Sequence, residues 1–600
     1  MNYESLVCDV NTVGTAATMY SGSRSVVADS FTGGFRLREV RNGVNIQTFD
    51  INEGTNYSGA VDFVDNNNNW TIAEHNNAQQ DQAALDAHWG SEMVLDYFRI
   101  NHNRNSIDDN GLRIINYVHY SNGWPNAQWD SGNEVMRYGD GDVDYSPLTS
   151  LDIIAHEIGH GIDQHTSDLI YQNQSGAIDE SLSDIWGAVV EFWTDPSKST
   201  WEIGEEIGGP LRSMNNPSSL TYNLTGTTSP YPDTYSGTGY YTGSLDNGGV
   251  HINSSVMNFW FFLLSEGGTG TNDNGDCYSI NGIGINDAAD IVYRAEVNYL
   301  VSSSTFVNAR NAMIQSAIDL FGANSPQVAS TTNAWYAVGV GNRYVNPVNG
   351  SDFLCSSNFY SLINIPAGTS VSWSVSPTYL FSGGTSGSGA TANLSPSSTL
   401  SSGQATLTYT IGTGCNSYTV QRQFWVGRVT PYIVGPYEMA YNTVENFYVE
   451  GAPHMGITGY NWSVYPSGFE WIGNQGTNGI TLTINTPGEY SLSVDLTNPC
   501  GVRGNEIPVY VYDPWSMFMI YPNPASDIMT ISKKSTLSSK QVDTTPFEIS
   551  LYDNRGRQLV APRPGSEQVQ LDVSNLKNGF YFVHILYKGK LIRNQIKVER

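Results

Sequence analysis

The sequence predicts a multidomain α+β chain: a unit that is β-rich in its N-terminal half and helical in its C-terminal half, followed by β-sandwich modules. Three observations carry that prediction. The chain has 600 residues, well beyond one core, since domains usually run ~100–200 residues. Its apolar spacing switches from short alternating runs before about residue 150 to helical spacing from Leu151 to Gly341, and back to alternation after "YVNPVNG". The string W-S-V-x-P occurs twice, in "VSWSVSP" from Val371 and "YNWSVYP" from Tyr460. This offset of 89 residues reads as a repeated module of about that size.

Residues 1–150 make the β-rich half. They hold short strands, turns such as "SGSR" and "TGGF", and one helix over "DQAALDAHWGSEMVLDYFRI". Residues 151–345 make the helical half. Its clearest helices are "SGAIDESLSDIWGAVVEFW" and "STFVNARNAMIQSAIDLFG", the second stopped by Gly322. Residues 346–430 and 431–512 are rich in Ser, Thr and Gly, alternate with period two and fit two immunoglobulin-like sandwiches. Residues 513–600, with "YPNPASDIMTIS" near their start, read as a third, small β-sandwich.

Composition narrows the function. With 39% hydrophobic and 12% aromatic residues the chain is globular, and its 60 Gly and 36 Tyr suggest a turn-rich, extracellular style of protein. The net charge of −29 repels phosphate backbones and excludes nucleic acid as a partner. The same carboxylates suit calcium. Ile531–Arg600 stands apart, with 12 basic and 6 acidic residues. No apolar run approaches the ~18 residues of a membrane span; "FWFFLL" near Phe259 is far shorter. The start, "MNYESLVCDV", has no charged region followed by an apolar one. A secreted protein is therefore expected here without its signal peptide, and no pro-segment is seen. Five cysteines exclude a dense disulfide framework. Cys355 and Cys415 are expected to bridge the sheets of the first sandwich; the sequence does not say what Cys8, Cys277 and Cys500 pair with.

The chemistry concentrates in "IIAHEIGHGID", residues 153–163. Positions i and i+4 share a helix face, so His156 and His160 offer two imidazoles to one ion, with Glu157 on the flank as a general base. This H-E-x-x-H pattern arises by chance in on the order of one per cent of chains this long, so it needs support. Catalytic zinc takes a third protein ligand and keeps one position open. A third histidine in the longer H-E-x-x-H-x-x-G-x-x-H pattern is excluded, because Asp163 and Thr166 occupy those places. His165 falls one residue early and reads as a surface histidine. The alternative is a carboxylate on the next helix, where Glu180, Asp184, Gly187 and Glu191 form one stripe. Such a stripe alone is also what a solvated helix face looks like. Beside the two histidines, Glu180 becomes the third ligand and Asp184 the acceptor for a ligand histidine's free N–H.

"HEIGHGIDQHTSDLIYQNQSGAIDESLSDIWG" resembles the zinc-site segment of the thermolysin-like neutral metallopeptidases. The likeness continues in "NAQW" at Asn126, "YGDGD" at Tyr138, "LRSM" at Leu211, "DNGGVH" at Asp246 and "NAWYAVGVG" at Asn333, and covers roughly residues 8–342. It implies a secreted zinc endopeptidase with one catalytic zinc on His156, His160 and Glu180. Glu157 would take the proton from the zinc-bound water. Tyr171 and His251 would bind the oxyanion, with Asp246 orienting His251. Asn126 and Ala127 would hold the substrate main chain, and Arg212 a substrate carbonyl. Tyr145, Leu148, Ile153, Ile203, Ile207 and Leu211 would line an apolar pocket, so cleavage before Leu, Phe or Ile is expected. The resemblance further implies structural calcium at Asp152, Glu191, Glu202 and Glu205. Thr200 replaces a family Asp there, which predicts one ion rather than two. A weaker calcium loop is implied at Asp65 and Asn67.

The two middle modules resemble polycystic-kidney-disease-like (PKD-like) or other immunoglobulin-like modules of secreted bacterial hydrolases. Trp373 or Trp462, if exposed, would touch an insoluble matrix or glycan; a buried sandwich-core Trp is the commoner case. "YPNPASD", "LYDNRGR" and "LDVSNLKNGFYFV" resemble the C-terminal sorting domain of type IX secretion, which implies export across the outer membrane to the medium or cell surface. The expected protein is a monomer acting on proteins or peptides. Two rivals are an adhesin that keeps an inactive protease-like domain, and a matrix- or glycan-binding protein with incidental proteolysis. Loss of Glu157, a ligand or His251 would mark the first; all are present.

Overall fold

The computed structural model describes residues 10–77, 79–198, 200–398, 402–412, 417–450, 456–473, 475–534 and 545–600; Cys8 and Cys415 lie outside them. Two sheets open the chain. The first runs in the order Val64–Asp65, Gly34–Arg36, Ser23–Phe31, Asn11–Ala17, Asn69–Trp70. The second runs Ala127–Asp130, Val135–Tyr138, Ile114–Val118, Val44–Asp50, Arg38–Arg41, which leaves Ala127–Asp130 on an edge.

Helix α1 (Gln82–His102) packs on Val44–Asp50, on Ile114–Val118 and on the next helix. Helices α2 (Leu151–Gln164) and α3 (Asn173–Thr194) then lie together, and α4 (Asp246–Glu266) packs on α3. Two glycines set the α2–α3 approach. A Cβ on Gly159 would meet Ser183 Cα at 2.9 Å, and one on Gly187 would meet the Asp152 carbonyl oxygen at 2.8 Å. Helices α5 (Ile285–Asn298), α6 (Phe306–Phe321) and α7 (Pro326–Ala337) complete the unit. Helix α6 stops at Gly322 as the sequence predicts. One core runs from Ala16 to Val340 and joins both halves, with Trp186, Trp260 and Trp335 fully buried in it. The acidic stripe of α3 is inside the protein: Glu180, Asp184 and Glu191 are all buried, so it is not a solvated face.

Three two-sheet units follow. The first pairs a three-stranded sheet with a five-stranded one around Leu354, Leu407, Tyr409 and Phe424. The second pairs two four-stranded sheets around Phe447, Trp462, Leu482 and Val494. The third pairs three strands with four around Met529, Ile549, Leu551 and Ile585.

The expected Cys355–Cys415 bridge is replaced by Cys355–Cys500, which joins the first sandwich to the second; Cys277 is disulfide-bonded as well. The two repeated tryptophans occupy matching strands, Ser370–Ser376 and Gly459–Tyr465. Trp462 is buried and donates its Nε1–H to the Thr477 carbonyl at 3.0 Å, so it is core and offers no glycan contact. Trp373 is half-buried against the first sandwich core. Among the described residues no helix is long and apolar enough to cross a membrane.

Candidate metal centre and active site

Helix α2 presents His156 and His160 one turn apart, and α3 presents Glu180 opposite them. One ligand atom from each lies within 4.8 Å of the others. The two Nε2 atoms stand 3.0 Å apart, His156 Nε2 is 3.7 Å from Glu180 Oε2, and His160 Nε2 is 3.5 Å from Glu180 Oε1. These gaps follow from the close helix packing that Gly159 and Gly187 permit.

Each imidazole is held from behind. His156 Nδ1 is 2.8 Å from Asp184 Oδ1, the carboxylate expected to take the free N–H of one of the two histidines. His160 Nδ1 is 2.7 Å from Asp179 Oδ1, a partner the sequence reading missed. Asp184 is itself fixed by Arg212, whose Nε and Nη2 donate to it at 2.6 and 2.7 Å, and by Asn258 Nδ2 at 2.7 Å. Burial opposes ionisation of Asp184, but Arg212 and His156 outweigh it and hold the carboxyl well below its usual range. Glu180 behaves alike: burial opposes its charge, yet His251, His160, His156 and Arg212 bring it down to about 2.

Glu157 is buried one residue past His156, and its Oε2 accepts from the Trp129 backbone N–H at 2.7 Å. Nothing in the sequence marks that amide as a partner; it comes from the edge strand Ala127–Asp130. Burial, offset in part by the two histidines, pushes Glu157 above the ordinary carboxylate range. On the far side of Glu180, the Tyr171 hydroxyl donates to Glu180 Oε1 and lies 3.2 Å from His251 Nε2. Asp246 accepts from His251 through both Nδ1 (2.5 Å) and the backbone N–H (3.0 Å). Burial works against charge on His251, but Glu180 and Asp246 raise its pKa.

His156, Glu157, His160, Tyr171, Glu180 and His251 line one cleft of about 660 Å³. Asn126, Ala127 and Arg212 line it, and so do Leu148, Ile153, Ile203 and Leu211. Tyr145 and Ile207, also expected in the apolar pocket, do not line it; Ile207 is wholly buried in the core behind.

The expected calcium residues differ in how committed they are. Asp152 spends both oxygens, accepting from Ser150 Oγ and Ile153 N through Oδ1 and from Gly204 N through Oδ2. Glu191 is buried with neither oxygen hydrogen-bonded, and Glu205 Oε2 is in the same state. Burial, then Asp152 and Glu205, push Glu191 up to about 9. Burial and Asp152 push Glu205 up to about 8. Lys198 Nζ supplies one cation here, 3.6 Å from Glu191 and 2.6 Å from Glu206. Glu202 is half-buried on a two-residue strand. The four expected calcium residues are not among the groups whose ligand atoms all converge within 4.8 Å.

Two imidazoles and a carboxylate converging in a cleft, with a glutamate beside the first imidazole, are the constellation of the H-E-x-x-H metallopeptidase class. Residues 13–164 match the thermolysin metallopeptidase catalytic domain and residues 167–340 its alpha-helical domain, so this part, over half of the 600 residues, belongs to the thermolysin metallopeptidase family. Membership implies a catalytic zinc and calcium. The chain is 38% identical to a bacillolysin of Bacillus cereus over 343 residues, 56% of this chain and 56% of that protein. It is 41% identical to a bacillolysin of Brevibacillus brevis over 314 residues, 51% and 53% of the two. A thermolysin of Alicyclobacillus acidocaldarius is 37% identical over 344 residues, 56% and 58%. The chain thus spans about half the length of the curated relatives it matches. Residues 430–510 match a PKD-like domain, and residues 519–599 a secretion system C-terminal sorting domain, which marks the chain for type IX export.

Proposed function

We propose that this chain is a secreted zinc endopeptidase that hydrolyses peptide bonds before bulky hydrophobic residues, with Glu157 as the base. The observation that carries the reading is the convergence of His156, His160 and Glu180 beside Glu157 in one cleft. The donor set fits zinc: two imidazoles whose Nδ1 atoms are engaged, and a carboxylate whose Oε2 is buried with no hydrogen-bond partner. Bound zinc supplies Lewis acidity toward a peptide carbonyl and lowers the pKa of a water to about 7.

The chain's own groups do the rest. Glu157 Oε2 is tied to the Trp129 amide, which leaves the other oxygen to accept a proton and hand it to the leaving amine. Tyr171 and His251 donate to the oxygen that gains charge, and Asp246 keeps His251 turned toward it. The free edge of Ala127–Asp130 offers backbone groups to an extended peptide, with Asn126 beside it. Leu148, Ile153, Ile203 and Leu211 exclude water from an apolar side chain placed after the cut bond. Arg212 is bound to Asp184 through two of its nitrogens; the third remains for a substrate carbonyl.

Calcium at Asp152, Glu191, Glu202 and Glu205 is supported by the buried oxygens of Glu191 and by Glu205 Oε2, which lack hydrogen-bond partners. The five-part division at residues 150, 345, 430 and 512 is supported after residue 345 by three separate hydrophobic cores. The peptidase halves share one core, so the boundary at 150 divides a single folding unit. A monomer whose sandwiches meet a matrix or glycan would use exposed rings such as Tyr379 and Tyr465.

The test compares the chain with Glu157→Gln, measuring bound zinc and hydrolysis of a blocked peptide carrying Leu or Phe after the cleaved bond. Equal zinc with cutting only by the parent is expected. Equal zinc with equal cutting removes Glu157 as the base, and no zinc in either removes the ligand assignment.

A further inference from the structure

Among the described residues, two other groups of metal-ligating side chains converge within 4.8 Å: Glu39, His88 and Glu92, and Asp65, Glu74 and His75. The first is already satisfied. Both ring nitrogens of His88 are hydrogen-bonded, to Thr48 Oγ1 and the Val27 carbonyl at 3.0 Å each, and Arg41 pairs with Glu39 and Glu92. The second is not.

Asp65 pairs with Phe35 at the edge of the first sheet, and a single helical turn, Ile72–His75, brings Glu74 and His75 back over it. Asp65 and His75 are 3% and 7% exposed. The two oxygens of Asp65 have different duties. Oδ1 accepts from the backbone N–H of Asn67 at 2.8 Å and of Asn69 at 3.3 Å. Oδ2 faces His75 Nε2 at 3.5 Å, within ion-pair range but too far for a hydrogen bond. His75 Nε2 is buried with no hydrogen-bond partner at all, while its ring rests on Trp70, centroids 5.1 Å apart. Glu74 spends Oε2 on Thr71.

The loop is therefore poorly arranged for an all-oxygen site. Asn67 Oδ1 is taken by the Asn69 N–H at 2.9 Å. What converges instead is one imidazole nitrogen with two carboxylates. Metal–nitrogen and metal–oxygen bonds near 2.0–2.2 Å place adjacent ligand atoms about 3.3–3.6 Å apart in a tetrahedral site, which matches the 3.5 Å between His75 Nε2 and Asp65 Oδ2. We propose that Asp65, Glu74 and His75 form a second divalent-metal site, separate from the catalytic cleft and selective for a transition ion such as zinc over calcium. Calcium and magnesium take oxygen ligands, whereas imidazole suits zinc and its neighbours. The ion would fasten the helical turn to the sheet edge, and waters would complete its coordination. The site stands on its own residues, but the count of two ions in the parent rests on the proposed zinc in the catalytic cleft, which His156→Gln should remove without removing the second ion.

The experiment uses the full chain, stripped with a chelator and dialysed against zinc with calcium in excess, and counts zinc per chain by elemental analysis. The parent should hold two ions, and His75→Gln and Glu74→Gln one each. Glu74 is exposed, and its Gln variant can keep the Thr71 contact, so it guards against misfolding of the His75 variant. Retention of one zinc and of peptide hydrolysis in both variants shows that the loss is local. In the parent, cobalt added after the first equivalent should raise the melting temperature and add visible absorption bands that both variants lack. One zinc in the parent, two in either folded variant, or displacement of the second zinc by calcium overturns the proposal.

Discussion

His160 Nδ1 stands 2.7 Å from Asp179 Oδ1, and Asp179 immediately precedes Glu180. One short stretch of α3 thus supplies a candidate ligand and the group that aims another. Outer partners of this kind typically change metal affinity about 10–100-fold when removed. Asp179→Ala should weaken zinc binding by that amount, and Asp179→Asn, which keeps an acceptor, should recover most of it. Competition with a chelator at fixed pH measures both; parent-like affinity in the Ala variant would remove the aiming role.

The second prediction concerns the helix contact beneath the site. Gly187→Ala places a methyl 2.8 Å from the Asp152 carbonyl oxygen, and Gly159→Ala places one 2.9 Å from Ser183 Cα. Both obstacles are backbone and cannot swing aside. Overpacking of this sort costs ~1–3 kcal/mol. A lower melting temperature accompanied by weaker zinc binding is expected, and calorimetry with zinc titration reads both.

His251→Ala and Tyr171→Phe should each leave zinc content unchanged while kcat falls. Removal of one donor to a developing oxyanion costs about 10²–10³ in kcat. Steady-state hydrolysis with elemental analysis separates this from loss of metal, and unchanged kcat in both variants would move the oxyanion role elsewhere.

Calcium should raise the melting temperature through Glu191. That side chain is buried with both oxygens lacking a hydrogen-bond partner. An ion that binds only the folded state at one hundred times its Kd adds about 2.7 kcal/mol. Glu191→Gln should abolish the calcium-dependent part of the shift in a thermal scan.

Acid should destabilise the protein through His88, which burial and then Arg41 keep at about 4. The unfolded chain takes up that proton near pH 6.5, whereas the folded chain does so only near 4. Between those values the unfolded state binds more protons, so stability falls as pH falls from 6.5 to 4, by about 3 kcal/mol in total. A His88→Gln variant should show a flatter melting-temperature profile across that window.

The convergence of His156, His160 and Glu180 was legible because metal chemistry needs fixed residue types at helical spacing: His156 and His160 on one face, Glu180 and Asp184 one turn apart on the next helix. Asp179 was hidden because adjacent helical residues point about 100° apart, and only the crossing at Gly159 and Gly187 shows which of them meets His160. Trp129 was hidden because its contribution is a backbone amide. Ile207 looked like pocket lining because apolar character does not distinguish a wall from the core behind it. Trp462 had two readings until its strand was seen to face inward. The partner of Cys355 depended on how the two sandwiches sit side by side, and spacing within one module carries no such information.

The Cys355–Cys500 bond closes a covalent ring that takes in most of both middle sandwiches. A protein exported into a medium that contains peptidases meets cuts in its exposed loops. A single cut anywhere between residues 356 and 499 opens that ring without dividing the molecule, so the segments before and after it stay tethered. Such a clipped chain would run as one species on a non-reducing gel and as two fragments once the sulfurs are reduced.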